Sequence, residues 1–305
     1  MADSGKFTKK FLRYLILGLT FFFIITTFKQ NWQEIKGIKF TFFTLLMFTI
    51  SLVLNIIAHT FSAWVWTWIL KIFQTKLQGL KAINIYLITN ISKYLPGNVW
   101  HFFGRVKAIQ AEGDSLSIAT VSVIIEPLLM AVSALLITLI SASFGIITLS
   151  FSPLFLLTYI LIIVILIGIH PKILNPLLCK LAKSKGSNET ATLTKYPLLP
   201  LLGEIIFLLI RGFAFLSLLI AFMPVKLTLI PQILSSFSFA WLLGLIVPGA
   251  PGGIGIFEAT IIASFDSAIF PSQIVLIVIA LFRISSILAE LITAGFASFS
   301  YKYEN

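Results

Sequence analysis

From Leu227 to Phe257 the chain carries no Lys, Arg, Asp or Glu, yet this apolar run is broken by the stretch Pro248 to Glu258, P-G-A-P-G-G-I-G-I-F-E. A helix cannot continue through it. Each proline removes a backbone donor and clashes with the preceding turn, and the glycines supply the freedom a sharp reversal needs. Lipid cannot satisfy the peptide groups released in this way, so irregular backbone at membrane depth survives only where protein or a wet cavity surrounds it. The stretch therefore predicts two short helical arms meeting at a break that floors a site. Gly252, Gly253, Gly255 and Glu258 become candidate binding residues.

The remainder of the chain is of the same character. Hydrophobic residues make up 58% of the 305, charged residues 11%, and mean hydropathy is +1.04, which excludes an ordinary soluble domain and predicts a polytopic membrane protein. The net charge of +11 comes from lysines between apolar segments, without the basic-aromatic patches that stack bases. Lipid headgroups are thus the expected partner and nucleic acid is not. A single cysteine, Cys179, excludes an internal disulfide framework, and no metal or other cofactor is expected.

Crossings of roughly 20 residues each are expected at Tyr14 to Phe28 (an uncleaved first helix), Phe40 to Leu70, Leu116 to about Ile140, about Phe151 to Ile169, Pro197 to about Phe222, and Ser272 to about Phe296. Trp64, Trp66 and Trp68 mark the end of the second as interfacial. Two segments are too short or too broken to cross. One is Ile83 to Leu95, stopped at Pro96-Gly97 and followed by Asn98, His101 and Arg105; the other is the pair of arms Ile230 to Val247 and Ile256 to Phe270. The expected fold is an all-α polytopic membrane protein of about six full transmembrane helices plus two re-entrant hairpins, in one domain spanning 1–305. The segments this topology places in the cytoplasm, 105–115 among them, hold 15 basic residues and those outside hold 4. That asymmetry puts both termini in the cytoplasm. Crossing, crossing, re-entrant and crossing occur twice in that order. An odd number of crossings per half makes this an inverted-topology repeat with halves near 1–143 and 144–305, a plan that places substrate near the midplane.

Ionisable groups inside crossings cost about 2.5–3.5 kcal/mol each on the insertion scale, so they face a cavity or a partner. Glu126, Glu204, Arg211, Glu258, Arg283 and Glu290 form this set. Glu204 and Arg211 are seven residues apart, as are Arg283 and Glu290, on one helical face but about 10 Å apart along the axis. They cannot pair within their own helices, so Arg211 and Arg283 are expected to meet Glu258 or Glu126. Two readings stand: a salt-bridge network that holds the bundle, or donors for an anionic phosphate, assisted by free N–H groups at Pro96-Gly97 and at the tip of the arm beginning at Ile256. His101 suits either headgroup contact or interfacial packing, and His59 a helix–helix hydrogen bond. Gly252-Gly-Ile-Gly255 lacks the strand and later acidic residue of a dinucleotide fingerprint.

Pro251-Gly252-Gly253-Ile254-Gly255-Ile256-Phe257-Glu258, with Leu281-Phe282-Arg283-Ile284 in the helix that follows, resembles the transmembrane flippase region of lysylphosphatidylglycerol synthetases and stand-alone proteins that share it. Tyr94-Leu-Pro96-Gly97-Asn98, Gly104-Arg105 and Glu112-Gly113 resemble that family's first Pro-Gly segment. The resemblance implies movement of a phospholipid or polyprenyl-phosphate lipid between leaflets of a prokaryotic-type inner membrane. Glu258, Arg283 and Arg105 fall within these motifs, and with Arg211 and Glu126 from the set of intramembrane charges they are the candidate binding residues. Two departures qualify the resemblance. The chain ends a few residues after its last helix, so the synthetases' aminoacyl transfer is not expected. In addition, Glu126 is followed by Pro127-Leu-Leu-Met130 rather than by arginine and, a little later, aspartate. An intramembrane lipid-phosphate transferase, or an accessory subunit of a partner enzyme, are the alternative expectations.

Overall fold

The first described helix begins with reciprocal capping at Thr41: its hydroxyl accepts from the Thr44 N–H at 3.2 Å, and the Thr44 hydroxyl accepts from the Thr41 N–H at 2.9 Å. Two otherwise orphaned donors are thereby satisfied. The structure is a computed structural model that describes residues 41–95, 99–143, 160, 163–184, 191–246, 253 and 255–304. Every regular element among them is helical.

Helix α1, Phe42–Ile72, is followed by α2, Gly79–Asn90, which tightens into a 3-10 turn at Ile91–Tyr94. Next come α3, Trp100–Ala111, and α4, Leu116–Ser143. Pro171–Ser184 forms α5 and Leu198–Phe222 forms α6. A 3-10 turn at Leu227–Leu229 leads into α7, Ile230–Ile246; then α8, Ile256–Ser264, and α9, Ser272–Glu304, complete the set.

Among the described residues, five segments are long and apolar enough to cross a membrane: Phe42–Ile72, Leu116–Ser141, Leu198–Phe222, Leu227–Ile246 and Ser272–Tyr301. The chain thus has the architecture of an all-α integral membrane protein. The expected crossing at Tyr14 to Phe28 and most of that at Phe151 to Ile169 lie outside the described residues. Leu227–Ile246, expected as a short arm, is long enough by itself to cross, because the turn at Leu227–Leu229 stacks onto α7.

Two expectations need correction. Trp66 is fully buried in the bundle instead of facing outward, whereas Trp64 is half-exposed and meets Trp68 at 5.3 Å between ring centroids; residues two positions apart on a helix are separated by about 200°, so Trp66 points away from the face the other two share. Residues 105–111, counted among the cytoplasmic basic segments, belong to helix α3, and the Arg105 side chain is buried against Glu126 rather than exposed.

The main helix contacts form a regular pattern. α1 packs along α6; α4 packs on α7 as α9 does on α2; α4 packs on α6 as α9 does on α1. Within each group α2 contacts α1 and α3, as α7 contacts α6 and α8, and α3 meets α4 as α8 meets α9. The α1–α6 seam is close because Gly203 has no side chain. A Cβ there would lie 2.6 Å from a Val65 methyl and 2.9 Å from the Trp68 ring. In the second group Phe215, Phe237, Phe257 and Phe282, one each from α6 to α9, pack mostly edge to face with centroids 5.4–6.4 Å apart. Such contacts supply the dispersion energy that must hold helices together in lipid.

Candidate functional site

A cavity of about 120 Å³ lies where the 3-10 turn after α2, α3 and α4 face α6, α7 and α9. Its walls combine aromatic rings with charged groups, and the charges fall into three clusters.

In the first, the Arg105 guanidinium on α3 donates to Glu126 on α4 at 2.5 Å, both side chains about 2% exposed. The other Glu126 oxygen accepts from the Tyr86 hydroxyl at 2.6 Å, and Tyr86 in turn shares a 2.7 Å hydrogen bond with Ser62. Tyr86 also lies under the guanidinium, 3.6 Å from ring centroid to Cζ. Charge pairing, hydrogen bonding and a π face together compensate the desolvation of this pair.

The second cluster centres on Glu290 of α9. Its Oε1 accepts from Lys93 at 2.6 Å, lies 3.1 Å from His59 Nε2 and accepts from the Ser286 hydroxyl at 3.5 Å. Arg211 on α6 reaches the same place, with Nη1 3.0 Å from His59 Nε2 and Nη2 donating to Ser286 at 3.1 Å.

The third cluster holds the glycine-rich break. Glu258 accepts from the Gly255 N–H at 2.6 Å, closing the N-terminus of α8, and from Arg283 Nε at 2.7 Å. Arg283 donates further to the Gly253 carbonyl at 3.0 Å. Gly253 has φ +72°, and a Cβ on it would stand 2.9 Å from the Gly244 Cα. Only glycine satisfies both the left-handed backbone and this contact between main chains.

Among the residues singled out from sequence, Glu126, Arg105, Arg211, Arg283, His101 and Gly253 all line the cavity. Glu258 stands behind Arg283, and Gly255 caps the helix that presents it. Pro96, Gly97, Asn98 and Gly252 lie outside the described residues. Arg283 meets Glu258 as expected, but Arg211 bonds a histidine and a serine rather than a carboxylate. Glu126 is held instead by Arg105.

His59 makes the interhelical hydrogen bond expected of it, to Arg211, whereas Lys93 and Tyr86 were not singled out in the sequence. Lys93 carried a usable signal as the one charge in the apolar run Ile83 to Leu95. Tyr86 carried none, because a tyrosine among aliphatics has no distinguishing pattern. Glu204 is buried on α6 with both carboxyl oxygens unpartnered among the described residues, and it does not line the cavity. Arg105 Nε, Arg211 Nε and His101 Nδ1 are also buried without a partner among the described residues, and their side chains do line it. Buried donors of this kind are costly unless something fills them.

No protein-family model matches the chain, and no curated protein matches it.

Proposed function

We propose that the chain moves a phospholipid or polyprenyl-phosphate-type lipid between membrane leaflets, the cavity receiving its anionic, phosphate-bearing headgroup. The observation that carries this reading is the gathering of Lys93, Arg105, Arg211 and Arg283 around one internal space among helices otherwise apolar enough to sit in lipid. Charged groups at that depth are expensive and are retained where they face a pathway. Oriented guanidinium donors suit phosphate oxygens.

The inverted repeat belongs to the same proposal. It is supported by the matched contacts of α1–α4 and α6–α9 and by the two arm-to-helix ion pairs, Arg105 with Glu126 and Glu258 with Arg283. In such folds alternating access comes from one repeat rocking against the other around a central site. Membership of the lysylphosphatidylglycerol synthetase transmembrane-region family, a prokaryotic inner-membrane location and cytoplasmic termini complete the proposal. They rest on the Pro-Gly motifs and on the distribution of lysines.

The test is reconstitution. Purified protein in liposomes that carry headgroup-labelled phosphatidylglycerol should expose inner-leaflet label to a membrane-impermeant quencher, and Arg283→Gln should slow this at least tenfold, the scale of one charge-assisted contact. Exchange no faster than in empty liposomes would overturn the proposal.

A further inference from the structure

One nitrogen in the second cluster is claimed twice. His59 Nε2 lies 3.0 Å from Arg211 Nη1, a donor, and 3.1 Å from Glu290 Oε1, an acceptor. An imidazole nitrogen either carries a proton or offers a lone pair. If Nε2 is protonated it serves Glu290 and leaves Arg211 Nη1 facing another donor; if it is bare it serves Arg211 and sets a lone pair against the carboxylate. The two bonds exclude each other.

The clusters also differ in charge. Arg105 with Glu126 and Arg283 with Glu258 are each neutral pairs, whereas Lys93 and Arg211 have one carboxylate near them among the described residues, Glu290, and it is bonded to Lys93. One positive charge remains there, and Arg211 Nε beside it has no partner among the described residues. The charged groups facing His59 are Glu290 from α9, Arg211 from α6 and Lys93 from the turn after α2, with Ser286 bonding both Arg211 and Glu290 and Tyr94 standing beside Glu290. None of these adds a second negative charge.

We propose that Lys93 and Arg211 form the anion subsite of the cavity, that it takes one monoanionic phosphodiester group, and that His59 is the positioning residue that holds Arg211 while the subsite is empty. When the phosphodiester arrives, Arg211 turns Nη1 and Nε to its oxygens, and His59 Nε2 is left to donate to Glu290. The proposal rests on the lipid-transport reading for its ligand class, but it is tested by binding rather than by leaflet exchange. Failure of one is therefore distinguishable from failure of the other.

The experiment measures affinity of the detergent-purified full chain for dihexanoylphosphatidylglycerol, with dimethyl phosphate as the soluble phosphodiester and dioctanoylglycerol as the uncharged lipid. Arg211→Gln should weaken the phospholipid on the order of tenfold or more, as loss of a charge-assisted contact does. His59→Leu should tighten it severalfold by removing the group that competes for Arg211. His59→Gln should restore the original affinity, since an amide offers an acceptor to Arg211 and a donor to Glu290 together. Should His59→Leu not fold, Ser286→Ala carries the same expectation of tightening. Dimethyl phosphate binding as tightly as the lipid would support the subsite and assign its anion to a soluble source; much weaker binding would assign it to a lipid. Dioctanoylglycerol binding as well as the phospholipid, unchanged affinity in Arg211→Gln, or no tightening in His59→Leu (in Ser286→Ala where His59→Leu does not fold) would overturn the proposal.

Discussion

Arg105 on α3 is paired with Glu126 on α4, at 2.5 Å and out of contact with solvent. Across the glycine-rich break the signs are exchanged, α8 contributing Glu258 and α9 Arg283 at 2.7 Å. The two pairs differ in exposure: Arg283 and Glu258 are 13% and 20% accessible, against about 2% for the first pair. The first pair is accordingly the more structural and the second the more available to a ligand.

Breaking the first pair by Arg105→Gln should therefore destabilise the fold by roughly 3–5 kcal/mol, since Glu126 would remain buried without its countercharge. Exchanging the residues, Arg105→Glu with Glu126→Arg, should recover part of that loss, because the pair is restored with its charges reversed, the order already present between Glu258 on α8 and Arg283 on α9. Thermal unfolding in detergent of the single and double variants measures both.

Glu258→Gln keeps an acceptor for the Gly255 N–H but removes the charge that holds Arg283. The melting temperature should change little, because the cap survives and this site is partly exposed. Leaflet exchange should fall at least tenfold if Arg283 must be held in place to meet a headgroup.

Gly253→Ala meets two obstacles, a backbone at φ +72° and the Gly244 Cα 2.9 Å from the new methyl group. A cost of about 1–3 kcal/mol is expected from the backbone alone. Gly255→Ala, with φ +86° but no atom within 4 Å of its Cβ, should cost less. Ranking the two variants by unfolding temperature separates the steric contact from the dihedral strain.

Glu204→Leu replaces a buried carboxyl that has no partner among the described residues. It should raise stability by about 1–3 kcal/mol, the desolvation penalty such a group carries. Stability that rises while leaflet exchange stays constant would show that Glu204 takes no part in transport.

Much of this was legible in the chain, and the limits have physical causes. The glycine-rich break, the apolar crossings and the intramembrane charges declare themselves because lipid forbids unsatisfied backbone and penalises charge. The pairing of those charges was legible only as a set of candidates. Seven-residue spacing shows that Glu204 cannot reach Arg211, but nothing in the sequence says that Arg211 will turn to His59 and Ser286. Lys93 stands out as the one charge in the run Ile83 to Leu95, but only the turn after α2, which carries it inward, shows that it meets Glu290. Trp66 looked interfacial because its neighbours are tryptophans, and its burial follows from the face of α1 that meets Tyr86.

The near approach of Gly203 to Val65 and Trp68 also has a mechanical meaning. No side chain on α6 at that point keeps it away from α1, so the contact can serve as a pivot, and Arg211 sits eight residues further along the same rod, roughly 12 Å away. A swing of about 10° about the pivot carries the guanidinium some 2 Å sideways on that lever arm, enough to part Arg211 from the imidazole it now holds at 3.0 Å.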